Sequence, residues 1–381
     1  MKYTGWKRGE LDIHFIQTGC GEQTFFIFPD GTTMLLDCGD MYRPQYLRHV
    51  PRKPSPARLG GEWVSRYVQR LVKERHIDYF VLTHWHADHC GKPTLRSDLS
   101  ADGRYLCGIT KFAEDFDIRN YFDHQYPRSG VYAANPDKDS LEMMRAWIPY
   151  MHDRCGMQAH AFEVGAVNQI CLQRSDAAHY RDTFSIRNLH ANCVYWDGHG
   201  KTVDYAPEFM RRVPESGRYG GVGENSLSLG FRLDYGAFSA YFGGDIDYPD
   251  LEDRIAANVG RVEVAKMNHH GCPTSMGKEL CRALQAKLYV ACIWSPNQIT
   301  DVNLVNMTSR ELYDGPRFIC PGFLPETKRL EYAGCDFMHD FLPQQGHTVV
   351  KVAEGGKTWE FFVLTAEDES MKILCHKEMG A

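Results

Sequence analysis

Six consecutive residues, His84-Trp85-His86-Ala87-Asp88-His89, constrain the fold of this chain more than any other stretch. Four of the six carry metal-ligating side chains, and they follow directly on the apolar run Ile77-Asp-Tyr-Phe-Val-Leu-Thr83. Such a run reads as a buried strand. Two histidines at i and i+2 at a strand end point to the same side and can share one ion. Once the strand turns, Asp88 and His89 can swing towards a second ion. Neutral imidazoles with a carboxylate are borderline ligands that suit Zn²⁺, with Mn²⁺ or Fe²⁺ also compatible.

The surrounding pattern mixes strands and helices. Leu11–Ile16, Thr24–Phe28 and Thr33–Asp37, separated by Gly-containing turns, read as a β-meander. Val64, Tyr67, Val68, Leu71 and Val72 recur at helical spacing and predict a helix over 62–75. Further along we expect a helix over 141–152, weak strands over 165–172 and 183–189, and a Gly-rich loop over 198–223. Strands over 226–233 and 237–242 follow, the second ending in Gly243-Gly244-Asp245, and then a helix over 250–259. A strand over 261–267 delivers Asn268-His269-His270-Gly271. A helix over 276–284, a strand over 287–293 and a hairpin over 347–365 close the chain. No repeat or low-complexity linker divides these elements, so we expect one domain over 1–381.

Composition narrows the functional classes. A chain of 381 residues with 43% apolar and 24% charged residues can bury a large core and is ordinary for a globular protein. Its net charge of -6 gives no global pull towards long polyanions or anionic membranes. Locally, Arg43, Arg48, Arg52, Lys53, Arg58, Arg66, Arg70, Lys73 and Arg75 face only Glu62 and Glu74 in sequence. That stretch is either a solvated loop and outer helix face or a landing strip for phosphate groups. Thirteen cysteines without a Cys-x-x-Cys pair, and a polar Met1–Glu10, argue against a disulfide framework and a signal peptide. A reducing cytoplasm fits this usage. No apolar run is long enough for a transmembrane helix. Asp197-Gly-His-Gly-Lys-Thr202 ends like a phosphate-binding loop but lacks its first glycine.

The histidine motif after a buried strand resembles the signature of the metallo-β-lactamase superfamily, which implies an α/β (α+β) fold, a four-layer αββα sandwich. Met34-Leu-Leu-Asp-Cys-Gly39, Glu224-Asn-Ser-Leu-Ser-Leu229, Tyr241-Phe-Gly-Gly-Asp-Ile246 and Ala265-Lys-Met-Asn-His-His-Gly271 occur in that order. They look like motifs in the hydrolase domain of DNA-uptake competence channel proteins. Choline-phosphate esterases of this fold share a similar doubled histidine. The resemblance implies a first metal on His84, His86 and a third histidine, for which we take His190, with His179 and His199 as substitutes. Asp245 would bridge to a second metal on Asp88, His89 and one histidine of the 269–270 pair. We take His270, because the superfamily's last histidine commonly precedes a glycine. His269 would then hydrogen-bond the substrate or protonate the leaving group, and Asp88 would orient the nucleophile. Asn225 and Ser226 either contact a phosphate or cap a turn.

Two departures qualify the resemblance. About 100 residues separate His89 from His190, which predicts an insertion around 110–157. The competence proteins' membrane segments have no counterpart here, so a DNA-uptake role does not transfer. The expected function is a binuclear metal-dependent hydrolase whose two divalent ions, zinc foremost, generate a metal-bound hydroxide near neutral pH. A phosphodiesterase acting on a nucleotide, a short or single-stranded nucleic acid, or another phosphoester is the leading reading. A metal-dependent ester, lactone, thioester or amide hydrolase is the alternative, and a non-catalytic binding or scaffold subunit is the third.

Overall fold

The computed structural model describes residues 3–41, 43–94, 97–124, 137–205, 223–247, 250–313, 315 and 317–381. The chain opens with the meander β1 (Leu11–Phe15), β2 (Thr24–Ile27) and β3 (Thr33–Leu36), then helix α1 (Gly60–Val68) and β4 (His76–Val81). Helix α2 (Ala87–Cys90), a hairpin of β5 (Asp98–Leu99) and β6 (Tyr105–Leu106), helix α3 (Ile109–Phe112) and β7 (Asp117–Asp123) follow. Helix α4 (Lys138–Cys155) leads to β8 (Gln158–Ala161). The next strands are β9 (Phe184–Ala191), β10 (Val194–Trp196), β11 (Thr202–Asp204), β12 (Gly230–Tyr235) and β13 (Phe238–Phe242). Then come β14 (Val264–Lys266), β15 (Leu288–Val290), β16 (Phe318–Cys320), β17 (His347–Val352), β18 (Thr358–Leu364) and β19 (Ile373–Gly380).

Among the described residues these strands, apart from the separate β5–β6 hairpin, form two large sheets. One runs β19-β18-β17-β1-β2-β3-β4-β7-β8 and the other β11-β10-β9-β12-β13-β14-β15-β16. Each is antiparallel on one side and parallel on the other: β3, β4, β7 and β8 pair in parallel, as do β13 to β16. Parallel pairing needs crossover connections, and the helices that supply them cover the outer faces.

Three cores hold the four layers together. Between the sheets, Ile13, Phe15, Phe26 and Val81 meet Phe231, Leu233, Phe242 and Val264. Phe26 and Phe242 pack edge to face, ring centroids 5.1 Å apart. Outside the first sheet, Phe25, Leu35 and Phe80 pack on Val64, Met144 and Trp147 of the helices. Outside the second, Tyr241, Ala265 and Tyr289 pack on Leu251, Ile255, Leu280 and Leu304. Strand β4 is therefore buried on both faces, which is why its apolar run barely alternates.

Several expected boundaries shift. The 62–75 periodicity holds helix only to Val68. Leu71 and Val72 still pack against the outer core, but the backbone leaves the helix to enter β4. The strand expected from 226 starts at Gly230, because Asn225–Leu227 form a 3₁₀ turn and the Leu229 amide donates to the Thr83 carbonyl instead of a ladder. No strand forms over 165–172. Within 198–223, residues 202–204 form β11, and 206–222 lie outside the described residues. Of residues 110–157, where an insertion is expected, 125–136 lie outside the described residues, and the rest include β7, which pairs with β4, and α4, which covers the first sheet.

Candidate metal centre

The polar cluster lies where β4, β9, β13 and β14 end. The Leu82 amide continues the ladder to the Phe122 carbonyl, and then Thr83 leaves the sheet, donating its amide to Asp37 Oδ1 at 2.8 Å. His86 precedes α2, whose four residues carry Asp88 and His89. The α2 backbone is pressed against the first meander: Glu22 N donates to Asp88 O at 2.7 Å and Cys38 N to His89 O at 2.7 Å. A Cβ on Gly39 would lie 1.8 Å from Asp88 O, so only glycine allows this approach.

Two groups of ligand atoms converge. His84 Nε2 and His86 Nδ1 lie 3.0 Å apart. His89 Nε2 is 3.1 Å from Asp245 Oδ2 and 3.3 Å from His270 Nε2. His270 Nε2 in turn is 3.0 Å from Asp88 Oδ2 and 3.2 Å from Asp245 Oδ2. Asp245 Oδ2 also lies 3.9 Å from His84 Nε2, so this one oxygen stands between the two groups.

His190 is tied to Asp245 through Ser228. Its Nδ1 is 2.9 Å from the Ser228 carbonyl, while Ser228 Oγ accepts the Asp245 amide at 3.1 Å. The next residue, Leu229, is bonded to Thr83. With Nδ1 donating, His190 Nε2 keeps a free lone pair, and it is buried without a protein partner. A Cβ at Gly230, opposite His190 in the ladder, would lie 2.1 Å from that nitrogen. The alternatives sit elsewhere: His179 pairs with Glu354 on the surface, and His199 is exposed.

Outer partners fix which nitrogen of each ring faces inwards. His89 Nδ1 meets Asp37 Oδ2 at 2.8 Å, His84 Nδ1 meets Thr83 Oγ1 at 3.1 Å, and His270 Nδ1 meets the Cys292 carbonyl at 2.9 Å. Second partners of this kind orient metal-binding imidazoles. Burial pushes the His190 imidazole down to about 4 and holds His84 well below its usual value, so both stay neutral with lone pairs available. Burial would also lower His270, but the carboxylates of Asp245, Asp88 and Glu22 raise it to about 9. That concentration of negative charge attracts a cation. Imidazole and carboxylate donors, tautomers set from outside and an orphaned His190 Nε2 together fit a divalent-metal centre.

Glu22, His89, Asp245 and His270 offer ligand atoms within 4.8 Å of one another. Glu22 is the outlier of this group. It approaches His270 from the Nδ1 side, at 3.3 Å, and Lys266 Nζ meets it at 2.8 Å.

His269 turns away from the donors. Both histidines of the pair have left-handed backbones, φ 47° and 54°, and their rings take different partners. His269 Nδ1 is 2.8 Å from Asp247 Oδ1, which also accepts the Thr274 hydroxyl, and Nε2 is 3.1 Å from Asn225 Nδ2. Burial would lower the His269 pKa, but Asp247, Cys272 and Asp245 hold it well above the usual value. Glu252 braces this turn, accepting from Asn268 Nδ2 and the amides of Met276 and Gly277. Asn225 thus reaches His269, whereas Ser226 serves the turn through its backbone.

Sequence reasoning passed over Glu22, Asp37, Thr83, Lys266, Asp247 and the pair His124–Glu224. Glu224 Oε1 accepts from the Trp85 amide at 2.8 Å and lies 2.9 Å from His124 Nε2, pinning the motif backbone. Three of these residues lie inside motifs quoted above (Asp37, Lys266 and Glu224), where their presence was the only signal.

Residues 18–92 match the model of the Metallo-beta-lactamase superfamily. No curated protein matches the chain. Among solved structures, the metallo-beta-lactamase fold protein YhfI from Bacillus subtilis is 13% identical, with a TM-score of 0.41 over 82% of this chain and 96% of its own. CmlA, a diiron beta-hydroxylase from Streptomyces venezuelae, is 11% identical with a TM-score of 0.39, over 82% and 53%. The short form of human tRNase Z is 13% identical with a TM-score of 0.34, over 73% and 91%. Two facing mixed sheets sheathed by helices, with ligand-bearing strand ends gathered together, give this chain the metallo-β-lactamase fold, and its segment 18–92 is similar to that superfamily.

Proposed function

We propose that the chain is a binuclear metal-dependent phosphodiesterase acting on a nucleotide or a short single-stranded nucleic acid. His84, His86 and His190 would hold one divalent cation, and Asp88, His89 and His270 the other, with Asp245 shared. Zinc suits these donors best. The cations would supply Lewis-acid polarisation of the ester and acidify water near neutral pH.

One observation carries the reading. His269 stands beside the donor cluster yet faces Asp247 and Asn225. The Asp247 carboxylate makes a positive charge on that ring tolerable; with the Asn225 amide turned so that its unpartnered Oδ1 faces the ring, Nε2 would carry a proton for a departing alkoxide. A phosphodiester has a poor leaving group that needs such a proton, and general acid help is worth about 10²–10⁴ in rate. Asp88 would orient the attacking water.

The test compares bis(p-nitrophenyl) phosphate with chromogenic esters and lactones, using wild type and Asp88→Ala. Phosphodiester turnover lost in the variant supports the reading. Turnover confined to esters or lactones moves the chain to that class, and a metal-loaded protein inactive on all of them overturns the catalytic reading.

A further inference from the structure

We propose that Trp294 and Tyr46, with Arg43 and Arg48, form a shelf beside the metal centre that seats the base of a nucleotide. This rests on the phosphodiesterase reading and names what lies next to the scissile group. Trp294 meets the His270 ring edge-on, centroids 6.2 Å apart, so its indole borders the ligand cluster directly. The chain on either side is fixed. Gln298 Oε1 accepts the amides of Trp294 and Ser295, at 2.9 and 3.0 Å, and the Ile293 carbonyl accepts from Gln17 Nε2 at 2.6 Å. Trp294 is half-buried, with its indole Nε1 sealed and without a hydrogen-bond partner. The outer core beneath is filled by Ile293 and Ile299, so packing does not account for an aromatic ring here.

Tyr46, on the 3₁₀ turn Pro44–Tyr46, faces Trp294 at a centroid distance of 6.3 Å and a tilt of 39°. The two rings form an open wedge. Its span is close to the roughly 7 Å that two successive stacking contacts occupy. Arg43 Cζ lies 5.7 Å from the Trp294 centroid.

Charge is concentrated at the same place. Of the basic stretch, Arg52 pairs with Asp40, Lys53 with Glu367, Arg58 with Glu62, and Arg66 and Arg70 with Glu369. Among the described residues no carboxylate pairs with Arg43 or Arg48, and both are exposed. At this edge the basic strip leaves Arg43, whose guanidinium lies over the indole, and Arg48, two residues beyond Tyr46. Aromatic faces accept any base, and guanidinium groups match a phosphate.

Calorimetric titration of the full chain with thymidine 5′-monophosphate and with deoxyribose 5-phosphate tests the shelf. In wild type the nucleotide should bind roughly 5- to 100-fold tighter than the sugar phosphate. Trp294→Ala should erase that ratio, Trp294→Phe should keep most of it, and Tyr46→Ala should reduce it. Equal affinities in wild type, or a ratio intact in Trp294→Ala, overturn the shelf. Bis(p-nitrophenyl) phosphate turnover on the same samples reports the chemistry separately. Turnover without base preference removes the shelf alone, and base preference without turnover removes the phosphodiesterase reading alone.

Discussion

Lys266 Nζ lies 2.8 Å from Glu22 Oε2, and this ion pair is sealed from solvent directly behind Asp245. The ammonium also donates to the Gly244 carbonyl at 2.9 Å and sits 3.4 Å from Asp245 Oδ1. Every short contact from Asp245 to the histidines uses Oδ2. The lysine therefore occupies one carboxylate oxygen and leaves the other to the centre. Lys266→Met should weaken metal affinity about 10–100-fold, as loss of an outer partner does. It should also destabilise the fold by about 3–5 kcal/mol by stranding Glu22. The double variant Lys266→Met/Glu22→Gln should recover stability but not affinity, read by urea unfolding and by competition with a chromogenic chelator.

Gly230→Ala places a methyl group against His190 Nε2. Gly230 is buried and its Cβ would also come within 2.9 Å of the Phe242 carbonyl, so circular dichroism first confirms the fold; the folded variant should retain about one fewer metal ion per chain. Mass spectrometry of metal content after dialysis checks this; two ions in the variant would remove His190 from the ligand set.

Asp247→Asn should lower kcat on phosphodiesters by about 10²–10⁴ with metal content unchanged, because Asp247 acts on His269 and touches no donor. Asp247→Glu should restore part of the loss. A drop in bound metal instead would place Asp247 in the ligand shell.

Chelation should lower the unfolding temperature, and reloading should restore it. Buried, like-charged Asp88 and Asp245 are then left without a cation between them. A ligand at 100 times its Kd contributes about 2.7 kcal/mol to stability. Scanning fluorimetry with and without chelator measures the shift, and coincident curves would argue against a bound ion.

Acid should erode the anchor of β4. Asp78 accepts the Thr33 amide at 2.8 Å and both terminal nitrogens of Arg174 at 2.7 and 2.8 Å. Burial would raise its pKa, but Arg174 and Thr33 outweigh it and hold the carboxyl below its usual value. A depressed pKa contributes stability that is full above the unfolded value of about 3.9 and is lost as pH falls through the lower folded value. Asp78→Asn should cost about 2–4 kcal/mol at pH 7 in urea unfolding, with the gap to wild type closing towards pH 2. A gap independent of pH would show that the charge is not what matters.

What the sequence discloses divides by distance along the chain. His84, His86, Asp88 and His89 are legible as a cluster because they are contiguous and follow a continuous apolar run. The layered fold is legible from the succession of strands and helices. Glu22, Lys266 and Asp247 acquire their roles only through contacts that folding creates, so no local pattern marks them. The basic stretch misleads for the same reason: Glu367 and Glu369, which neutralise three of its members, lie some 300 residues away. Strand β19 escapes notice because Leu374, His376, Lys377 and Glu378 at the sheet's edge lack an apolar face.

Ser228 grips His190 by its carbonyl and Asp245 by its hydroxyl, and its neighbour grips Thr83. The spacing of the donors is thereby decoupled from contour length. The connections between the paired strands and packed helices from His89 to His190 can be lengthened, trimmed or exchanged by evolution without moving an imidazole, provided these clasps survive. Kin of this chain are better sought by the clasp than by the interval.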